Sequence, residues 1–110
     1  MKEQPECKID QHRAKRWYLN DKLHREDGPA YEDADGTKEW WLNGKWHRED
    51  GPAVERVGGS KYWFLHGEGI HPETLVDLHL SRGVFCYYNE ETDTLHFDEN
   101  NERTAQACSK

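Results

Sequence analysis

The amino-acid sequence predicts a mainly β protein: an antiparallel β-hairpin meander of three repeats, capped by a C-terminal helix and hairpin. Three observations predict it. First, the stretch Trp17-Tyr18-Leu19-Asn20-Asp21-Lys22-Leu23-His24-Arg25-Glu26-Asp27-Gly28-Pro29-Ala30 recurs as Trp40-Trp41-Leu42-Asn43-Gly44-Lys45-Trp46-His47-Arg48-Glu49-Asp50-Gly51-Pro52-Ala53. A shorter copy follows at Trp63-Phe64-Leu65-His66-Gly67-Glu68, and each copy begins 23 residues after the last. A fixed period of roughly 20–50 residues signals stacked supersecondary units. Second, dipeptides that tolerate left-handed backbone, Asn20-Asp21, Asn43-Gly44 and His66-Gly67, occupy the same place in each copy. Third, the apolar set is only 34% of the chain and leans on five Trp, five Tyr and three Phe. A thin core rich in rings suits one curved sheet better than a deep sandwich.

Residues 1–11 carry Pro5 and scattered charges without a period, and are expected to form a mobile arm or an irregular edge strand. Repeats are expected at about 15–37, 38–60 and 61–72. In the second, Thr37 to Leu42 is a strand rich in β-favouring rings. Asn43-Gly44 is the strongest two-residue hairpin signal, because the turn needs positive φ at both centres. Lys45-Trp46-His47 returns, and Asp50-Gly51-Pro52 then interrupts pairing, since proline lacks the ladder N–H and belongs at a bulge, edge or corner. Ala53 to Val57 resumes as strand, and Gly58-Gly59 turns the chain into the third unit, as Asp35-Gly36 does one unit earlier.

After the third unit the pattern changes. His71 to Gly83 has Pro72 at a first helical position, Glu73 in the first turn and Gly83 at the stop, which predicts a helix. Val84 to Tyr88 and Thr94 to Phe97 read as two strands about the polar turn at Asn89 to Asp93. Residues 1–98 are expected to make one domain with its cap at 73–98. The stretch 99–110 holds no large apolar residue and is expected to be a disordered tail.

Alternation along the strands separates two rows. Trp17, Trp40 and Trp63, with Leu19, Leu42 and Leu65, point one way; Tyr18, Trp41 and Phe64 point the other. Equivalent strands stand about 9.5 Å apart, twice the strand spacing, with Ala30, Ala53, Val54 and Trp46 between them. One open sheet in water cannot leave both faces apolar. The first row is expected to be core, covered by Leu75 to Phe97, and the second a partly exposed binding row.

Several chemistries are disfavoured. The net charge of −7 argues against general attraction to phosphate backbones or anionic membranes. Cys7, Cys86 and Cys108 make neither a disulfide framework nor a zinc motif, and Cys86 falls mid-strand as a small core residue. Among the seven histidines, His24 and His47 are too far apart to share an ion. Arg25 and Arg48 stand ready to pair with Glu26/Asp27 and Glu49/Asp50 instead. No nucleophile motif and no phosphate loop occurs. The sequence thus implies no catalytic residue, no metal site and no cofactor, and a soluble cytoplasmic chain.

An aromatic residue, two further residues, Asn-Gly-Lys, one residue, His and a following Gly, repeated every 23 residues, resembles the MORN repeat. The fit is closest from Trp40 to Gly51 and spans about Lys15 to His71. The form ending His-Arg-Glu-Asp-Gly-Pro-Ala resembles phage and large-virus proteins. The chain departs from the common motif in placing Arg25 and Arg48 where Gly follows His. Its third copy aligns His71 with His47 only by inserting one residue. The resemblance implies a single-layer hairpin sheet used in protein assembly and, in some members, lipid contact.

The expected function is a non-enzymatic protein-binding module, plausible as a phage-type inhibitor of a host nucleic-acid-handling or defence protein, for example in an anti-CRISPR or anti-restriction role. The expected contact residues are Tyr18, Trp41, Phe64 and Trp46, rimmed by Glu32, Asp33, Asp35, Glu90, Glu91 and Asp93. They would meet a protein partner with a basic surface rather than nucleic acid or membrane. The chain itself is expected to be a monomer or homodimer, in the host cytoplasm if phage-encoded. The alternatives are a structural protein self-associating through sheet edges and, third, a metal-binding enzyme.

Overall fold

In the computed structural model, which describes residues 4–97, the three hairpin turns share one backbone conformation. Asn20 and Asp21 have φ of 52° and 63°, Asn43 and Gly44 of 52° and 80°, and His66 and Gly67 of 51° and 83°. Both central residues are left-handed in each, which matches the right-handed twist of the flanking strands.

The described residues form two compact units that divide between Ile70 and His71. The first is the meander. Its large sheet comprises β1 (Glu6–Ile9), β2 (Lys15–Leu19), β3 (Lys22–Leu23), β4 (Tyr31–Glu32), β5 (Lys38–Glu39), β8 (Val54–Glu55) and β9 (Lys61–Tyr62), all antiparallel in the order β1-β2-β4-β5-β8-β9 with β3 on β2. The other two hairpins are β6 (Trp41–Leu42) with β7 (Lys45–Trp46), and β10 (Phe64–Leu65) with β11 (Glu68–Gly69).

Thr37 to Leu42 is therefore not one strand. Regular pairing lapses at Trp40, where the neighbouring chain changes from the strand after the Pro corner to the return strand of the hairpin. Trp40 bridges the two, donating its N–H to Ala53 O at 2.7 Å and accepting the N–H of His47 at 3.0 Å. Trp17 does the same between Ala30 and His24. Backbone bonds also join successive hairpins, from Arg25 N–H to Trp41 O and from Arg48 N–H to Phe64 O.

The periodicity reaches further towards the N-terminus than the sequence suggested. Asp10 to Ala14 closes with Asp10 N–H on Ala14 O and Arg13 N–H on Asp10 O, the same pair of bonds seen at Asp33 to Thr37 and Arg56 to Ser60. These turns are again 23 residues apart. β1 is thus a regular edge strand, the second half of an additional unit, rather than a mobile arm or an irregular edge strand, and Cys7 stands where later units have Ala30 and Ala53. Those two alanines are fully buried, beside Val54, Ala14 and Trp63. Apart from Trp63 the buried side chains of this unit's apolar core are small, and Trp17 and Trp40 remain half-buried.

The second unit begins at the helix α1 (Pro72–Ser81). His71 caps it in an extended conformation, its Nδ1 accepting the Glu73 N–H at 3.1 Å, and Pro72 fits the first turn, where no backbone N–H is needed. Gly83 ends it at φ 79°. The helix packs on β12 (Cys86–Asn89), which pairs with β13 (Thr94–Phe97) in the register Cys86 to Phe97. The stretch expected as a tail, 99–110, lies outside the described residues.

Candidate functional site

Most of the repeated motif is occupied in holding one hairpin to the next. His24 Nδ1 accepts the backbone N–H of Asn43 at 3.0 Å, and His47 Nδ1 accepts that of His66 at 2.9 Å. Beside each, the residue before the histidine offers its carbonyl to the second turn residue: Leu23 O to Gly44 N–H and Trp46 O to Gly67 N–H, at 2.9 and 2.8 Å. The stems of Lys22 and Lys45 lie on those same glycines, where an added Cβ would touch them at 3.5–3.7 Å. Asn-Gly-Lys-x-His is therefore a docking device: Lys and His of one unit seat the turn of the next. Both histidines are buried, at 6% and 7% exposure. An Nδ1 that accepts leaves the neutral ring's proton on Nε2, which faces Glu26 or Glu49 at 3.5 Å. Burial, aided by the His66 ring 4.3 Å away, holds the His47 pKa below its ordinary value.

The unit ends here for a visible reason. Ile70, not His71, donates to Trp63 O as His47 donates to Trp40 O. The third copy has no inserted residue; isoleucine has replaced the histidine, and His71 caps the helix.

The Arg-Glu-Asp-Gly-Pro corner is a second device. Arg25 donates to Asp27 and to Pro29 O, and Arg48 to Asp50, Pro52 O and Glu55, at 2.8–3.1 Å. The ion pairs expected from the sequence form with Asp27 and Asp50. Each guanidinium also lies over a tryptophan, Arg25 at 4.0 Å from the Trp17 ring centre and Arg48 at 3.7 Å from that of Trp40. Two of the three rings expected as core, Trp17 and Trp40, thus carry an arginine of their own repeat. The glycine makes this possible, because a Cβ on Gly28 or Gly51 would stand 2.9 or 2.7 Å from the guanidinium carbon.

What remains is the second aromatic row. Trp41 and Trp46 are directly cross-strand, with ring centres 5.2 Å apart, and Trp46 meets Phe64 of the next hairpin at 4.8 Å. All three are half-buried. Tyr18 does not join them: Leu23 occupies its cross-strand place, and Lys8 lies over its ring at 5.6 Å. The sequence reading missed Glu39. Its Oε1 accepts both indole N–H groups, from Trp41 at 2.9 Å and Trp46 at 3.2 Å. Its place two residues before Trp41, on the same side of the strand that the sequence suggests from Thr37 to Leu42, was the available signal.

Among the described residues, five rings of the meander carry a cation of the chain's own: Trp17, Tyr18, Tyr31, Trp40 and Tyr62. Trp41, Trp46 and Phe64 are not among them. They form a half-open aromatic surface whose nearest charge is a carboxylate.

The expected acidic rim is partly engaged in turns. Glu32 stands in register between Lys15 and Lys38. Asp33 accepts from Tyr31 OH and Ala34 N–H, and Asp35 from Thr37 N–H, at 2.7–3.1 Å. In the second unit Glu90 and Glu91 are exposed. Asp93 accepts Tyr88 OH at 2.7 Å, which, with burial, pushes the phenol pKa up to about 12. Burial also raises the pKa of the half-buried Cys86 thiol. Among the described residues no three His, Cys, Asp or Glu side chains gather as a metal site would require, and no helix is long and apolar enough to cross a membrane. Comparison with family models, with curated proteins and with solved structures returns no match.

Proposed function

We propose that the chain is a non-enzymatic protein-binding module whose contact surface is Trp41, Trp46 and Phe64 with Glu39 at its edge. The carrying observation is the contrast between rings. Trp17, Tyr18, Tyr31, Trp40 and Tyr62 each carry a lysine or arginine of the chain itself, whereas this half-buried cluster has a carboxylate as its charged neighbour. A partner presenting arginine or lysine would supply the missing cation, lying on an indole face with Glu39 as counter-charge. The net charge of −7 favours approach of such a surface.

The resemblance of the repeat to MORN proteins of phages and large viruses directs the proposal to an inhibitor of a host nucleic-acid-handling or defence protein, acting in the host cytoplasm. An acidic module with half-buried rings at its surface can occupy a groove built for phosphates and bases. Affinity capture from host lysate, with wild type, Trp41→Ala and Glu39→Gln side by side, tests the reading. A basic protein retained by the wild type and lost from both variants is expected, with retention falling at about 0.5 M salt. Equal capture by all three chains, or capture indifferent to salt, would overturn it.

A further inference from the structure

β1 ends the large sheet: its inner side bonds to β2, and among the described residues no strand pairs with its outer side. The pairing fixes which groups point outwards. Trp17 directs its N–H to Ala30 and its carbonyl to His24, both away from β1. Arg16 and Tyr18 therefore face β1 and bond with their register partners Lys8 and Glu6. Cys7 and Ile9 alternate with these, so their N–H and C=O groups project from the free edge. Both residues are exposed, Ile9 at 62%. Unpaired edges of this kind recruit a further strand unless charge or shape prevents it.

The order of residues on this edge states which strand fits. Glu6-Cys7-Lys8 is charge-complementary to itself when reversed. We propose that β1 pairs antiparallel with β1 of a second copy of the chain, about a two-fold axis at Cys7. In that register Glu6 lies opposite Lys8 of the second copy, and Lys8 opposite its Glu6. Each Cys7 N–H donates to the Cys7 carbonyl across the axis, and each Ile9 N–H to the Pro5 carbonyl. Pro5 has no N–H to return, so the pairing ends there. The axis runs perpendicular to the sheet, and both copies turn the same face, that of Glu6, Lys8 and Tyr18, to the same side. The contact is short, so the dimer is concentration-dependent.

Cys7 is the reporter of the register. In a chain with Cys86→Ser and Cys108→Ser, diamide oxidises two Cys7 thiols to one disulfide and takes up the two hydrogens as its hydrazine. Rapid cross-linking to a dimer is expected, because paired residues lie within disulfide reach. Moving the thiol with Cys7→Ser and Ile9→Cys should abolish it, since the two sites then stand about 13 Å apart along the strands. Lys8→Glu should slow cross-linking about tenfold by setting like charges opposite each other, and adding Glu6→Lys should restore it. Equal cross-linking from positions 7 and 9, or a rate indifferent to Lys8→Glu, would overturn the proposal. So would a Cys7→Ser chain that sediments as a monomer at every concentration.

Discussion

The His47 imidazole accepts the backbone N–H of His66, nineteen residues further along the chain, at 2.9 Å. His24 and Asn43 are related in the same way at 3.0 Å. A side chain three residues past one turn thereby holds the next turn by its backbone. The contact needs no particular side chain on the receiving turn, so the same device serves Asn43-Gly44 and His66-Gly67. Each unit is coupled to its immediate neighbours through such bonds, as in other repeat architectures.

Acid should loosen this joint. Folding lowers the His47 pKa beneath 6.5, so the native state favours the neutral ring. Its stabilisation is complete above about pH 6.5 and is lost as the pH falls from there through the lowered native value. The urea midpoint should drop between about pH 7.5 and about pH 5. His47→Asn, which keeps an acceptor near Nδ1 but cannot titrate, should drop less over that range. Parallel pH profiles for the two chains would refute the assignment.

Gly51→Ala should cost about 1–3 kcal/mol, because the new methyl meets the Arg48 guanidinium at 2.7 Å and must displace it from Trp40 and the Pro52 carbonyl. Gly58→Ala is the control, with nothing within 4 Å of the added atom. Chemical denaturation should separate the two by well over about 1 kcal/mol. Comparable midpoints would show that the arginine yields easily.

Trp40→Ala and Trp41→Ala should part company. The Trp40 ring lies beneath the Arg48 guanidinium, a contact that alanine cannot keep, and its loss should cost about 3–5 kcal/mol. Trp41→Ala removes one ring contact and one bond to Glu39; about 1–2 kcal/mol is expected. Calorimetric melting decides the order, and equal loss from both substitutions would mean that Trp41 is as structural as Trp40.

In the second unit, spectrophotometric titration should find one tyrosine that resists ionisation until pH values near 12. Folding raises this phenol above its ordinary value of 10.0, so its contribution is complete below that value and disappears as the pH climbs through the native one. Asp93→Asn should bring the late transition down towards the ordinary range. An unchanged late transition would assign it to another tyrosine.

The turns and the helix were legible because their signals are local. Asn43-Gly44 specifies its own backbone, and Pro72 and Gly83 bracket α1 by what proline and glycine can adopt. The extra half-unit was not legible. Its diagnostic turn places Arg13, at φ 66°, where the later units have Gly36 and Gly59. The register of the third copy misled for a related reason, since a histidine at position 71 invited alignment with His47. At the candidate surface, Trp41 and Phe64 followed from alternation, and Trp46 was expected on the strand between them. The separation of Tyr18 did not follow, because it depends on Leu23 standing where the next unit has Trp46, and on Lys8 from a strand outside the apparent repeat.

Ile70 fixes how this gene can lengthen. A further 23-residue copy added after the third hairpin would meet a unit with no acceptor for its turn. A copy duplicated upstream of Trp63 would find a histidine already waiting on one side and would bring its own for the other. An added hairpin is therefore accommodated ahead of the third one, which stays last.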